Sequence, residues 1–273
     1  MKKIILLLIL LIPFHMMADN FEEQTINKLS KLFTIRDKVK DIHPFLKNLY
    51  PVAVSRGNSL YIFSSAEESY KLEKVIPAPF KIPQGIRAAF PLAGYDNKPA
   101  CVVTEDVFYN DEGYTIILHE FMHCAQFEGV ENKIKMELQI MKTAMEKNNY
   151  SWELNHPFPY ENKKFIEFYS QYVNALENDN INGAMNIKTI LKGSLSKEDY
   201  EYLVWEEWKE GFARFIENKV KERMSINENT GGKGEPYNRV SFYYSGDKLI
   251  HLISLDNNKL LNNLEELFEY IKN

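Results

Sequence analysis

Residues 114–127, with the sequence YTIILHEFMHCAQF, are the starting point for predicting the fold of the chain. They contain His119 and His123, four positions apart, with Glu120 directly after the first histidine. On an α-helix, residues four apart lie on one face about one turn from each other, so both imidazoles can bind one Zn²⁺. Glu120 lies about 100° round the helix from His119, near a metal-bound water but not among the ligands. The segment therefore predicts a zinc-binding helix with Glu120 as general base.

The surroundings of these residues favour metal binding over a chance pattern. Residues 116–118 are apolar, and so are Phe121 and Met122 within the motif. Two imidazoles and a carboxyl group in such surroundings need partners, because unpaired buried polar groups cost free energy. The alternative interpretation is a pair of surface-facing or hydrogen-bonded histidines on an ordinary amphipathic helix.

The chain has two cysteines, Cys101 and Cys124. Cys124 directly follows His123, but neighbouring residues on a helix point about 100° apart, so it leaves the face of the two histidines. We therefore interpret Cys124 as a buried thiol or as a disulfide partner of Cys101, and not as a metal ligand. Two cysteines are too few for a disulfide framework.

The segments before the motif predict a small sheet, and those after it predict helices. Residues 21–49 are helical in pattern, and three strands follow, at residues 59–63, 86–92 and 100–108, with a polar, proline-punctuated segment at 67–83. After residue 113, helices are predicted at about 131–147, 162–177, 185–191, 197–223, 240–253 and 260–271. The expected fold is α+β. One domain spans residues 19–273, with the sheet in about 50–112, the helices in about 113–273, and the metal site in the cleft between them.

The N-terminus has the pattern of a secretory signal peptide. Lys2 and Lys3 precede an apolar run at residues 4–11, and Ala18 precedes a polar segment. The run is shorter than the roughly 20 residues needed to span a bilayer, although an uncleaved anchor is the alternative. We expect cleavage after residue 18, a mature chain beginning near Asp19, export to the periplasm or the medium, and no stable membrane insertion afterwards.

Composition supports a globular chain without nucleic-acid binding. Hydrophobic residues make up 45% and charged residues 26%, which is enough for a sizeable core. The formal net charge is −5, and no block of lysines and arginines stands out. A nucleic-acid partner is therefore not expected.

A third metal ligand must come from another segment. No further histidine follows at short spacing, which leaves His156, His251 and the acidic helix near Trp205. On that helix stands Glu-Gly-Phe-Ala-Arg-Phe, residues 210–215. Paired with the first motif, this stretch resembles the gluzincins, zinc metallopeptidases of zincin-like fold whose third ligand is a glutamate on a later helix.

The resemblance covers roughly residues 100–220. It implies that Glu210 is the third zinc ligand and that the chain hydrolyses peptide bonds in a peptide or protein substrate. The Asn-Glu-x-x-x-Asp form of the motif is absent, because Arg214 stands four residues after Glu210. No subfamily is therefore identified.

The helical wheel of this later helix gives a separate prediction. Its large apolar residues form one stripe, Trp205, Trp208, Phe212 and Phe215. Glu206, Glu210 and Glu217 fall on the opposite side with Ala213 among them, and a bound dication would relieve the repulsion between the carboxylates. Gly211 in mid-helix suggests a packing requirement.

Several alternatives remain open on this helix. A solvated acidic face is the simplest of them. Glu206 and Glu207 are rival ligands, and Glu206 or Glu217 can instead orient the histidines as hydrogen-bond acceptors.

Two further features concern the substrate. By the same resemblance, Tyr243, Tyr244 or His251 is a candidate for stabilising the oxyanion, with Arg239 one turn before Tyr243, although both tyrosines can equally be core residues. The predicted strand 100–108 is expected to be the edge that pairs with an extended substrate.

The alternative functions are a non-catalytic zincin-like protein and a metal-free exported binding protein.

Overall fold

The computed structural model describes residues 15–273, with side chains from Phe21 onward. The predicted signal peptide therefore falls mostly outside the described residues, and its last residues, from His15, have helical backbone. None of the helices in the described part is both long enough and apolar enough to cross a membrane.

A five-stranded mixed sheet forms the first half of the fold. Its strands are β1 (Val52–Arg56), β2 (Ser59–Ala66), β3 (Ser69–Pro77), β4 (Arg87–Leu92) and β5 (Lys98–Thr104). They are ordered β3-β2-β1-β5-β4, with β1 and β5 parallel and every other neighbouring pair antiparallel. Helix α1 (His15–Val39) and a 3₁₀ turn (Pro44–Lys47) precede the sheet.

The region after the sheet is mainly helical. The helices are α2 (Asp111–Gly129), α3 (Glu131–Glu137), α4 (Gln139–Glu146), α5 (Trp152–Asn155), α6 (Lys163–Glu177), α7 (Ile181–Ser194), α8 (Lys197–Arg223), α9 (Arg239–Asn257) and α10 (Leu264–Lys272). A small sheet followed by helices is the α+β arrangement predicted from the sequence, and at that level the prediction is confirmed.

Two strands were not predicted, for different physical reasons. β3 lies in the segment 67–83, where only Tyr70 and Ile76 are buried because the strand forms one edge of the sheet. Its sequence therefore lacks a regular alternation of apolar and polar residues. β1 is a short run whose residues Val52–Val54 are buried on both faces, and such a run has no period-2 pattern to detect.

The predicted strand 100–108 is wrong in length and in position. β5 ends at Thr104, and a 3₁₀ helix occupies Glu105–Tyr109. β5 lies between β1 and β4, so it is not the edge beside α2. That edge is β4, which contacts α2 directly.

Helices α8 and α9 cross at two glycines, which fixes the centre of the helical region. A Cβ added to Gly211 would lie 2.5 Å from the Cα of Gly246, and a Cβ added to Gly246 would lie 2.4 Å from the carbonyl oxygen of Glu207. Only residues without a side chain permit this approach. The packing requirement predicted for Gly211 is confirmed.

Candidate metal centre

Helix α2 carries the first motif through the interior, between the sheet and α8. Asn110 caps the helix by accepting a hydrogen bond from the backbone N–H of Gly113. His119, Glu120 and His123 are all buried, with 6–7% of each residue exposed. Three titratable side chains are thus held in the interior by this helix, and each requires partners.

The structure brings His119, His123 and Glu210 together. The two Nε2 atoms are 3.2 Å apart. One carboxylate oxygen of Glu210, Oε2, lies 3.5 Å from Nε2 of His119 and 3.4 Å from Nε2 of His123. One ligand atom from each residue falls within 4.8 Å of the others, so the group could hold a metal ion.

These separations suit a small tetrahedral ion. Bonds of about 2.0–2.2 Å from nitrogen and carboxylate oxygen to a tetrahedral centre place the ligand atoms about 3.3–3.6 Å apart. The observed distances, 3.2, 3.4 and 3.5 Å, lie close to that range. The residues present therefore fit one ion bound by two imidazoles and a carboxylate.

The outer nitrogens of both histidines have acceptors that orient the rings. Nδ1 of His119 donates to Oε2 of Glu217 at 3.0 Å, and Nδ1 of His123 donates to Oε1 of Gln126 at 2.8 Å. The amide of Gln126 is itself fixed, because its Nε2 donates to two backbone carbonyls of α8. With both Nδ1 atoms protonated, the Nε2 lone pairs point toward the shared position beside Glu210.

Without a metal, the cluster retains positive charge by binding protons. Burial lowers the pKa of His119, but hydrogen bonds to Glu210 and Glu217 outweigh it and raise the pKa to about 10. Burial opposes ionisation of Glu210, but His123 and His119 hold its pKa well below the ordinary value. The arrangement thus favours a cation at the point where the three side chains meet.

Glu120 lies next to the triad but does not belong to it. Burial raises its pKa, and the neighbouring His123 and His119 partly oppose that rise. The backbone of Ala89 in β4 lowers the pKa slightly, so the carboxyl group lies near that strand. Glu120 is therefore a buried carboxyl group of α2 that lies near β4, and its proton affinity is increased.

The other acids of α8 have different surroundings. Glu207 pairs with Lys188 in the core and accepts a hydrogen bond from Ser245 at 2.7 Å. Glu206 is 1% exposed, and its Oε2 has no hydrogen-bond partner. Neither belongs to the triad. Glu217 is an acceptor for His119, one of the roles left open from the sequence.

The solvated acidic face is wrong as an interpretation of α8. Glu206, Glu207 and Glu217 are at most 2% exposed. Helices α2 and α9 pack against α8 and cover its acidic side. A helical wheel distinguishes two sides of a helix but does not show that both are covered.

The rival histidines also lie away from the triad. His156 donates from Nε2 to Asp199 at 2.7 Å. His251 packs beside the ring of Phe215, with the ring centroids 6.4 Å apart. Among the described residues, neither is part of a group that could hold a metal ion.

Of the three oxyanion candidates, Tyr243 is the one whose pKa is influenced by a residue of the triad. Burial raises the pKa of Tyr243, and the carboxylates of Glu210 and Glu206 raise it further. Tyr244 instead donates its hydroxyl hydrogen to Glu177 at 2.6 Å. The structure thus separates two consecutive tyrosines, of which only the first is coupled to a candidate metal ligand.

Both cysteines are buried free thiols, and neither joins the triad. The disulfide left open by the sequence is therefore not formed in this structure. Burial raises the pKa of Cys101 and of Cys124, so both thiols stay protonated.

Sequence reasoning missed Gln126, although a signal for it exists. It stands three residues after His123, and residues three apart lie on the same face of a helix. A carboxamide at that position can accept from a histidine Nδ1.

In comparisons with protein families, curated proteins and solved structures, none matched this chain.

Proposed function

We propose that this chain is a zinc-dependent metallopeptidase of the gluzincin type, with a zincin-like fold. One observation carries the proposal. His119, His123 and Glu210 present two nitrogens and one oxygen at the mutual distances of a tetrahedral ion, with Glu120 beside them.

The donor set favours zinc over other common ions. Two imidazoles and one carboxylate form a frequent ligand set of catalytic zinc, whereas magnesium and calcium favour oxygen donors. When bound, zinc lowers the pKa of a coordinated water and polarises a carbonyl oxygen. Because Glu217 and Gln126 accept from the Nδ1 atoms, the two Nε2 atoms are the ones that would bind zinc, which would displace the proton that His119 holds in the metal-free protein.

Glu120 is the proposed general base. Its carboxylate accepts a proton from the attacking water and passes that proton to the nitrogen of the leaving amine. In the metal-free protein, burial raises the pKa of Glu120 and makes its carboxylate a stronger base. Tyr243 has a pKa raised by burial and nearby carboxylates, so its hydroxyl remains a hydrogen-bond donor suited to the oxyanion.

The proposed substrate is an extended segment of a peptide or protein. β4 is the sheet edge next to α2, and its residues Arg87–Phe90 are only partly buried. An extended chain can pair with such an edge through backbone hydrogen bonds. The net charge of −5 gives no reason to propose a nucleic-acid partner.

Export of the chain is part of the proposal and has its own test. The basic start, the short apolar run and Ala18 support cleavage near Asp19. Mass spectrometry of the protein isolated from its native cells should give a mature N-terminus near this residue. Recovery of intact Met1 would support an uncleaved anchor.

Hydrolysis of a mixed peptide library by the zinc-loaded protein tests the function. Cleavage should occur, stop when a chelator removes zinc, and resume when zinc is restored. Glu120→Gln should abolish cleavage and keep zinc, because the amide preserves shape but cannot accept the proton. The matched control is Glu128→Gln, which alters an exposed glutamate of the same helix and should cleave normally.

Three outcomes would contradict the proposal. Stoichiometric zinc without cleavage of any peptide would indicate a non-catalytic zincin-like protein. A purified chain that retains no metal and binds none on titration would support the metal-free alternative. Loss of zinc in Glu120→Gln would mean that Glu120 is a ligand.

A further inference from the structure

Two guanidinium groups flank the ring of Tyr243, and only one of them has hydrogen-bond partners. Arg214 lies 5.6 Å from the ring centroid and Arg239 lies 5.3 Å from it. Arg214 is buried and donates to the backbone carbonyls of Asn229 and Gly231, both at 3.3 Å. The guanidinium of Arg239, by contrast, makes no hydrogen bond to any residue of the described chain.

The nearest acid to Arg239 does not satisfy it. Oε2 of Glu206 lies 3.9 Å from Nη1, which is too long for a hydrogen bond. That oxygen is buried and has no other hydrogen-bond partner. The Arg239 side chain is 31% exposed, so it is open to solvent in part. Arg239 is thus a half-buried cation with several unused donors.

Arg239 stands on the same side of the helical region as the proposed zinc ligands. It is the first residue of α9, one turn before Tyr243, and Glu206 is one turn before Glu210 on α8. The crossing at Gly211 fixes these two helices against each other. Burial lowers the pKa of Arg239, but Tyr243, Glu206 and Glu210 more than offset it, in agreement with this proximity.

A cavity of about 620 Å³ is lined in part by Glu235, Pro236 and Tyr237, the segment that leads into the N-terminal end of α9. Tyr237, two residues before Arg239, lines it with Phe158 and Ile166. Tyr160 lines it as well, and its pKa responds, after burial, to both Glu206 and Arg239. The cavity therefore lies near the end of α9 that carries Arg239, and six of its nine lining residues are aromatic, aliphatic or proline.

We propose that Arg239 binds the terminal carboxylate of a peptide substrate whose last side chain, apolar or aromatic, enters this cavity. The proposal rests on the proposed peptidase function and assigns its substrate class, namely peptides cut close to a free C-terminus. Arginine presents a planar fork that matches a carboxylate, and the group lacks such a partner in the protein. The glutamates on the cavity rim, Glu161 and Glu235, disfavour an acidic side chain in the cavity itself.

Calorimetry on the full-length, zinc-loaded Glu120→Gln protein tests the proposal without turnover. The probes are acetyl-Ala-Phe with a free carboxylate, its C-terminal amide, acetyl-Ala-Glu-amide and acetyl-Ala-Gln-amide. The free acid should bind about 10-fold more tightly than its amide, the ratio expected for a charged hydrogen-bonded group. The other two probes, acetyl-Ala-Glu-amide and acetyl-Ala-Gln-amide, should bind with equal affinity.

Three additional substitutions in this protein locate the effect. Arg239→Gln should remove the preference for the free acid, and Arg239→Lys should retain part of it, because lysine keeps the charge but loses the fork. Arg56→Gln is the matched control, since this guanidinium also stacks on an aromatic ring, Phe21, but belongs to β1. It should leave the preference unchanged. Zinc content and the melting temperature of each variant exclude misfolding.

The outcomes separate this proposal from the proposed function. Equal binding of acid and amide, or a preference that survives Arg239→Gln, would overturn the carboxylate assignment even if the wild type cleaves peptides. Tighter binding of acetyl-Ala-Glu-amide than of acetyl-Ala-Gln-amide, without a preference for the free acid over its amide, would show that the bound carboxylate belongs to a side chain. That result would overturn the terminal assignment. Conversely, an Arg239-dependent preference in a chain that cleaves no peptide would support the assignment and refute the peptidase function.

Discussion

Replacing Glu217 with Gln removes the charge from the acceptor that orients His119 and leaves the candidate ligands themselves unchanged. Oε2 of Glu217 accepts from Nδ1 of His119 at 3.0 Å, and Oε1 lies 3.0 Å from Nζ of Lys221. Glutamine preserves the shape and one acceptor oxygen. A neutral acceptor makes the imidazole less basic, so His119 should bind zinc more weakly in the variant.

The size of the effect follows from the position of the group. Loss of a hydrogen-bond partner of a metal-bound histidine typically lowers metal affinity 10–100-fold, about 1.4–2.7 kcal/mol. In the metal-free protein, burial raises the pKa of Glu217, but His119, Lys221 and Arg214 lower it from 4.5 to about 2. That shift corresponds to about 3 kcal/mol of stability, with little screening because the side chain is 2% exposed.

Glu207→Gln is the matched control for this experiment. Glu207 is on the same helix, is equally buried and is paired with a buried lysine, Lys188, but it does not contact either histidine. Both variants should lose stability in urea denaturation. Glu207→Gln leaves the buried Lys188 without its charged partner, and Glu217→Gln removes one of the two carboxylates that pair with the buried Lys221. Only Glu217→Gln should weaken zinc binding, as measured by competition with a calibrated chelator.

Two results would refute this reasoning. Unchanged zinc affinity in Glu217→Gln would show that the contact to His119 does not orient a ligand. An equal loss of affinity in Glu207→Gln would show that general destabilisation, and not the histidine contact, controls binding.

Three further outcomes are expected. In the same chelator competition, Glu210→Gln should lower zinc affinity far more than Glu206→Gln, because only Glu210 is a proposed ligand. The reverse order would place the ligand one turn earlier on α8. Gly211→Ala should destabilise the protein by about 1–3 kcal/mol in urea denaturation and weaken zinc binding, because the added methyl group meets Gly246 of α9. Unchanged stability would contradict the close crossing of the two helices. Because the folded pKa of Glu217 lies below its unfolded value, its stabilisation of the metal-free protein is present above about pH 4.5 and is lost as the pH falls toward 2. Urea denaturation across that range should show the decline in the wild type and a flatter profile in Glu217→Gln, and parallel profiles would argue against the shift.

Local helical geometry was the part of the site that the sequence could predict. His119 and His123 were placed on one face by their spacing alone, and Gly211 signalled a close crossing because glycine is unfavourable in mid-helix. Glu210 was selected among the acids of its helix by resemblance, and the structure puts it beside both histidines. In each case the information lies within one helix.

Features that depend on packing between distant segments were not predictable. β1 and β3 lack a usable pattern because one is buried on both faces and the other lies at the edge of the sheet. Strand order cannot be read from strand sequence, so β5 was mistaken for the edge that is β4. The unsatisfied donors of Arg239 are likewise visible only when every neighbour is known.

X-ray diffraction at the zinc absorption edge, from crystals of the zinc-loaded protein, tests the central proposal most directly. We predict one anomalous peak about 2.0–2.2 Å from Nε2 of His119, Nε2 of His123 and a carboxylate oxygen of Glu210. Glu120 should lie beside the peak without coordinating it. A zinc peak bound by other residues, or no peak at this triad in crystals that contain stoichiometric zinc, would contradict the proposal.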